Sequence, residues 1–234
     1  MRRLWPNPVE HLEVDEAVHH EHRVPHTARP WVMVCMVASL DGSTVVNGRS
    51  GALSHPVDAA VMAALRRRAD TIVVGAGTVR AEGYGPPRTP GQKIVVVSRR
   101  GDIDLNSALF ASGAGVLALP LDAPPVPVPS VRAGLGTVDL AGVLAQLDAR
   151  VVQAEGGPAL NAALASADLI DELNVTVAPL LTGGDGPRLI TGATPLNHRL
   201  RLAQLAEHDD FLFMRWLRHR AFGVAETDSS VVVE

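Results

Sequence analysis

The chain has 234 residues, 47% of them apolar, and a formal charge of −4 at pH 7, enough apolar material for one large domain with a substantial core. This acidic balance, with a single tight basic run at Arg66-Arg67-Arg68, excludes nucleic acid as the main partner, because neutralising phosphates takes a clustered basic surface; a small-molecule substrate is expected instead. No run approaches the roughly 18 apolar residues that a membrane crossing requires, and a lone cysteine, Cys35, excludes an internal disulfide framework and a multi-cysteine zinc site, so the expected compartment is the reducing cytoplasm.

Residues 1–29 are polar and rich in histidine, as in His19-His20-Glu21-His22, and lack apolar periodicity. They read as an appended arm carrying at most a short helix. Arg2 and Arg3 have no apolar stretch behind them, so no secretory signal is expected. His11-Leu12-Glu13 matches half of a zinc deaminase signature, but no Pro-Cys-x-x-Cys follows it, and no metal site is expected.

The main domain spans 30–220. Apolar, β-branched runs at 31–38, 71–75, 93–98, 115–119, 151–154 and 172–178 alternate with predicted helices at 56–68, 139–149 and 158–167. That rhythm indicates an α/β fold with a largely parallel sheet. Pro56 with Asp58, then Asp139, then Pro158 supply the helix starts, and the arginine run falls on the last turn of the first helix, where positive charge complements the dipole. Five prolines within 120–130 predict an extended surface loop. Residues 211–217 read as a closing strand after Asp209 and Asp210. The tail, 221–234, reads as frayed, with Val231-Val232-Val233 able to pair with a sheet edge or a partner subunit.

Two apolar runs end in glycines and open a predicted helix: 71–79, with Gly75, Gly77 and Thr78, and 151–160, with Glu155, Gly156, Gly157 and Pro158. Such turns let backbone approach a pyrophosphate while the helix aims free N–H groups at it. The first lacks the third glycine of a Rossmann fingerprint, and no acidic residue closes a second strand about 20 residues later, so that fold is disfavoured. The next apolar run ends instead in Ser98-Arg99-Arg100-Gly101, whose hydroxyl and guanidinium groups suit an adenosine 2′-phosphate and favour NADPH over NADH. A solvated basic turn is the competing reading. Glu155, at a strand's carboxyl end, can bind a polar heterocycle or cap its own turn. Glu82 can relay a proton or serve as a surface residue.

In order, Ala38-Ser-Leu-Asp-Gly42, Gly48-Arg-Ser50, Leu65-Arg66, Gly75-Ala-Gly-Thr-Val79, Glu155-Gly-Gly-Pro158, Asp171-Glu-Leu173 and Ala178-Pro-Leu-Leu-Thr-Gly-Gly184 resemble the reductase domain of riboflavin biosynthesis, over about residues 31 to 217. The resemblance implies a dihydrofolate-reductase-like fold, a homodimer, and NADPH-dependent reduction of the ribosyl group of a 5-aminouracil ribosylamine phosphate to a ribityl chain. It carries cofactor binding to Ala38, Thr78, Glu82, Ser98 and the 157–163 turn and helix, including Pro158, Ala159, Leu160 and Asn161. To these the glycine turns and basic turn add Gly75, Gly77, Arg99 and Gly156. Substrate positions are Ser50, Arg66 and Glu155, with Arg88 a looser candidate for the 5′-phosphate. The implied chemistry is hydride delivery to the sugar C1′ in its opened imine form, with a proton for the departing ring oxygen. Glu82 and Glu155 are the catalytic candidates.

Three departures from the family pattern bear on substrate identity: Cys35 where lysine is common, Glu82 within Ala-Glu-Gly-Tyr in place of aspartate, and Ala52 in place of tryptophan. They keep two alternatives open: a pterin reductase on the same fold, and an NADPH-binding protein with little turnover. The deaminase domain that often precedes this reductase has no counterpart, so a free-standing reductase is expected.

Overall fold

In this computed structural model the structure describes residues 1–20 and 23–219; the expected frayed tail lies outside them. The first elements are β1 (Arg2–Trp5), α1 (Val14–Val18), β2 (Trp31–Ser39), α2 (Pro56–Arg66), β3 (Thr71–Gly75) and α3 (Ala76–Glu82). They are followed by β4 (Lys93–Val97), α4 (Ala108–Ala111), β5 (Gly115–Leu119), β6 (Ser130–Arg132), α5 (Leu140–Ala145) and β7 (Val151–Ala154). The chain then runs through α6 (Pro158–Ser166), β8 (Glu172–Ala178), β9 (Leu200–His208) and β10 (Phe211–Arg218). Among the described residues these strands form one ten-stranded sheet, in the order β1-β9-β10-β8-β2-β7-β3-β4-β5-β6. From β8 to β6 neighbouring strands are parallel, and β10, β9 and β1 add antiparallel pairs at one edge. The expected α/β architecture with a mostly parallel sheet is therefore present.

The parallel strands read as continuous apolar runs because helices cover both of their faces. Val32, Val34, Val73 and Val152 meet Val143 and Leu144 of α5 and Leu160 and Leu164 of α6. On the opposite face Ile72, Val74, Ile94 and Val96 pack on Val79 of α3 and Leu109 and Phe110 of α4, while Met33 and Val151 pack on Val61, Ala64 and Leu65 of α2. Asp139 caps α5 as expected, accepting from Ala141 N at 3.0 Å, but that helix ends at Ala145. The first predicted helix ends at Arg66, with Arg67 as its cap. The proline-rich loop ends by feeding the edge strand β6.

One strand had not been anticipated, and one region differs from expectation. Strand β9 carries Leu, Ala, Gln and Glu, which favour helix; pairing with β10 and β1 on either side overrides that local preference. The supposed arm is also built into the domain. β1 pairs with β9, Ala17 and Val18 of α1 are buried, and paired charges hold the segment that follows. Arg23 forks onto Glu172 with bonds of 3.0 and 2.6 Å, and Asp171 accepts from Arg29 at 2.6 and 2.9 Å with His26 Nε2 2.8 Å away. A polar segment can join a core in this way when buried charges meet partners, which apolar periodicity does not register.

Candidate active site

The parallel strands bring their carboxyl ends to one side, where sheets of this type place ligands. There the two glycine turns meet. Gly75 closes β3 and its N–H donates to Gly156 O at 2.7 Å. A Cβ on Gly75 would stand 3.5 Å from Gly156 O and Gly157 N, and one on Gly157 would come within 2.8 Å of Thr78 Oγ1. Gly156 also adopts a φ of 76°, which disfavours other residues. The positive φ at Gly156 and the close approach at Gly157 explain glycine at those two positions, whereas a Cβ on Gly75 would make only ordinary contacts.

Beside the junction lies a cleft of about 440 Å³. Of the expected cofactor positions, Gly75, Gly77, Ser98, Arg99, Ala159, Leu160 and Ala163 line it, together with Arg100 of the basic turn; Arg80, Thr137 and Val138 do so as well and had not been singled out. Ser98 Oγ accepts from Gly101 N at 3.0 Å, which folds the basic turn and leaves Arg99 and Arg100 exposed. The first turn of the nine-residue α6 opens at the same place, behind Gly157 and Pro158. Backbone donors, three arginines and the apolar Val138 and Leu160 fit a phosphorylated dinucleotide. Ala38 is buried in β2. Asn161 is also buried and donates to Leu189 O at 3.0 Å, which ties α6 to the loop after β8.

Glu155 precedes the second glycine turn and is buried. Arg66 grips it through Nε and Nη2, both at 2.6 Å. Tyr84 O–H donates to Oε2 at 2.6 Å and Gln153 Nε2 to Oε1 at 2.9 Å. Burial and then the Glu155 charge push the Tyr84 phenol well above its ordinary value, so it remains a donor. Burial opposes the Arg66 charge, but the bonds and charge of Glu155 outweigh this and raise its pKa. Burial, followed by Asp58 and Glu155, likewise raises the Cys35 thiol well above its usual range, keeping it a thiol rather than a thiolate.

Glu82, the last residue of α3, is exposed and its Oε1 accepts from both the N–H and Oγ of Ser50 at 2.9 Å. The structure thus brings four of the expected site residues together in two pairs, Ser50 with Glu82 and Arg66 with Glu155. Arg88 is exposed in the loop that follows α3. Two further motifs also meet: Ser39 donates to Asp41, which accepts from Gly183 N at 2.7 Å and Thr182 N at 3.2 Å. These bonds, Ser39 first, hold the Asp41 carboxyl well below its usual range. Tyr84 was missed; its signal was that it is the chain's single tyrosine, directly after Gly83.

Among the described residues no group of three or more His, Cys, Asp or Glu side chains is arranged to hold a metal ion. No helix among them is long and apolar enough to cross a membrane.

A family model described as the RibD C-terminal domain matches residues 30–211. Two curated relatives are each named 2,5-diamino-6-ribosylamino-4(3H)-pyrimidinone 5′-phosphate reductase. That of Methanothermobacter thermautotrophicus is 30% identical over 183 residues, covering 70% of this chain and 85% of the relative. That of Archaeoglobus fulgidus is 29% identical over 191 residues, covering 70% and 87%. A solved structure described as a pyrimidine reductase-like protein, from Corynebacterium diphtheriae, has the same fold, with a TM-score of 0.77 at 23% identity over 89% of this chain and 100% of the other.

Proposed function

Because the chain belongs to the RibD C-terminal domain family, we propose that it reduces the ribosyl group of a ribosylaminopyrimidine 5′-phosphate to a ribityl group, with NADPH as reductant. It is an oxidoreductase of the pyrimidine reductase type, acting on a small molecule. The ring of the substrate is a 5-aminouracil or, as the relatives' names favour, a 2,5-diaminopyrimidinone. The observation that carries this reading is the junction of the two glycine turns, which joins the basic cleft on one side to the Arg66–Glu155 pair on the other.

When bound, the reduced nicotinamide supplies a hydride, which the opened sugar imine takes at C1′. The first turn of α6 holds pyrophosphate through backbone N–H groups, and Arg99 with Arg100 holds the 2′-phosphate that distinguishes NADPH. Glu82 has one oxygen bonded to Ser50, and its other oxygen handles the proton that the departing ring oxygen gains. Glu155 already accepts from four donors and orients Arg66, whose Nη1 is left for the substrate's 5′-phosphate. Of the two carboxylates first considered catalytic, Glu82 therefore takes the proton role and Glu155 a positioning one.

The working form is a homodimer in the cytoplasm. Phe213 and Ala206 face the α1 and α2 layer, so by strand alternation Leu212, Met214, Trp216 and Leu205 face the other way, where they are only half-buried. Covering such an apolar face with a second copy is the usual two-fold solution. Sedimentation at micromolar concentration should give twice the monomer mass, and a monomer would refute this assembly.

Function is tested by following oxidation of the reduced cofactor with the two ribosylaminopyrimidine phosphates and, separately, with dihydrofolate. Turnover with a ribosylaminopyrimidine alone, and a preference for NADPH over NADH, are expected. Oxidation only with dihydrofolate would instead support a pterin reductase, and tight NADPH binding without turnover a binding protein.

A further inference from the structure

The family likeness gives Tyr84 no role, yet it completes the Arg66–Glu155 pair. It follows Gly83, whose φ of 68° ends α3. Its hydroxyl donates to Glu155 Oε2, and the Arg66 guanidinium carbon lies 5.6 Å from the centre of its ring. An ionised carboxylate offers about four lone-pair sites. On Glu155 all are taken: Oε1 by Arg66 Nε and Gln153 Nε2, Oε2 by Arg66 Nη2 and the Tyr84 hydroxyl. A substrate hydroxyl or ring N–H therefore finds no acceptor on Glu155 unless a donor leaves. What the group offers a ligand is cationic. The Arg66 side chain is 28% exposed while that of Glu155 is 3% exposed, and Nη1 is the guanidinium nitrogen not committed to Glu155.

We infer that Tyr84 is a positioning residue of the substrate site: by fixing Glu155 from the side opposite Gln153, it sets the angle at which Arg66 presents Nη1 to a substrate phosphate. This rests on the proposed phosphorylated substrate. A phosphate remote from C1′ is held equally in ground and transition states, so loosening its grip raises KM and leaves kcat unchanged.

Tyr84→Phe is the informative substitution, because it keeps the ring beneath Arg66 and removes only the donor to Glu155. KM for the ribosylaminopyrimidine phosphate should rise about five- to tenfold, as for loss of a hydrogen bond to a charged group that is partly transmitted, with kcat and NADPH affinity within about twofold. The dissociation constant of ribose 5-phosphate, measured by calorimetry, should rise by the same factor. Unchanged KM, or a fall in kcat at constant KM, overturns the inference. If the wild type turns over no ribosylaminopyrimidine, the functional reading has failed; equal ribose 5-phosphate affinity in wild type and Tyr84→Phe then overturns the inference independently. Arg66→Lys provides a second check, since it keeps a charge but loses the fork. Adding Tyr84→Phe to it should raise KM no further, and additive losses would contradict action through Arg66.

Discussion

Replacing Glu172 with glutamine tests how the N-terminal segment is held to the sheet. Glu172 is wholly buried, and the arginines against it, Arg23 and Arg215, have side chains 5% and 11% exposed. Trp31 Nε1 and Asn174 Nδ2 also donate to it, at 3.2 and 3.0 Å. Glutamine nearly preserves the volume but leaves two buried guanidinium groups without their counter-charge, a loss of about 3–5 kcal/mol for breaking a buried pair. With an m-value of about 2–3 kcal/mol/M for urea, expected of a chain this size, the unfolding midpoint should fall by roughly 1–2 M. Circular dichroism and tryptophan fluorescence, followed together, establish whether the transition remains two-state. Arg23→Met leaves Arg215, Trp31 and Asn174 on Glu172 and should cost less, and the double variant less than the sum of the two. A loss below about 1 kcal/mol for Glu172→Gln would refute the clamp, since it would match an exposed pair.

Three further outcomes are expected. Arg99→Ala should weaken NADPH binding about tenfold or more, the worth of one charge-assisted bond, and leave NADH binding nearly unchanged; equal losses for both cofactors would contradict 2′-phosphate recognition. Glu82→Gln should cut kcat by about a hundredfold or more with little change in NADPH affinity, and an unaltered kcat would remove Glu82 from the proton step. Stability should fall steadily on acidification. Burial, then Arg215 and Arg23, pull His20 down to about 4 from 6.5, so between those values the unfolded chain binds more protons and stability declines as pH falls. Despite the cost of burial, Arg23 and Arg215 hold Glu172, and Arg29 and Val32 N hold Asp171, below the usual carboxylate range; their contribution, full above the unfolded carboxylate values, is lost as pH falls through the folded ones. Urea midpoints measured against pH check this. His20→Gln should flatten the curve between about 6.5 and 4, and a midpoint that rises on acidification there would contradict the assignment.

The central sheet was legible because its parallel strands are buried on both faces, which leaves nearly uninterrupted runs such as 71–75 and 93–97. The glycine turns were legible for a similar local reason, each being a short segment whose residue types announce a close backbone approach. What escaped was long-range. Arg66 and Glu155 were both singled out, but their bond joins residues 89 apart, and nothing local tells a phosphate-binding arginine from one partly committed to a carboxylate. The same holds for Arg23 and Glu172, 149 residues apart, which make a polar arm part of the core. Strand β9 has helix-favouring residues, and only its neighbours decide its state.

The proposed hydride path can be followed directly with NADPH carrying deuterium at the transferring position of the nicotinamide. One turnover of a ribosylaminopyrimidine phosphate should yield a ribityl product with a single deuterium at C1′. Deuterium in the pyrimidine ring, or a product without it, would contradict reduction of the sugar at this site.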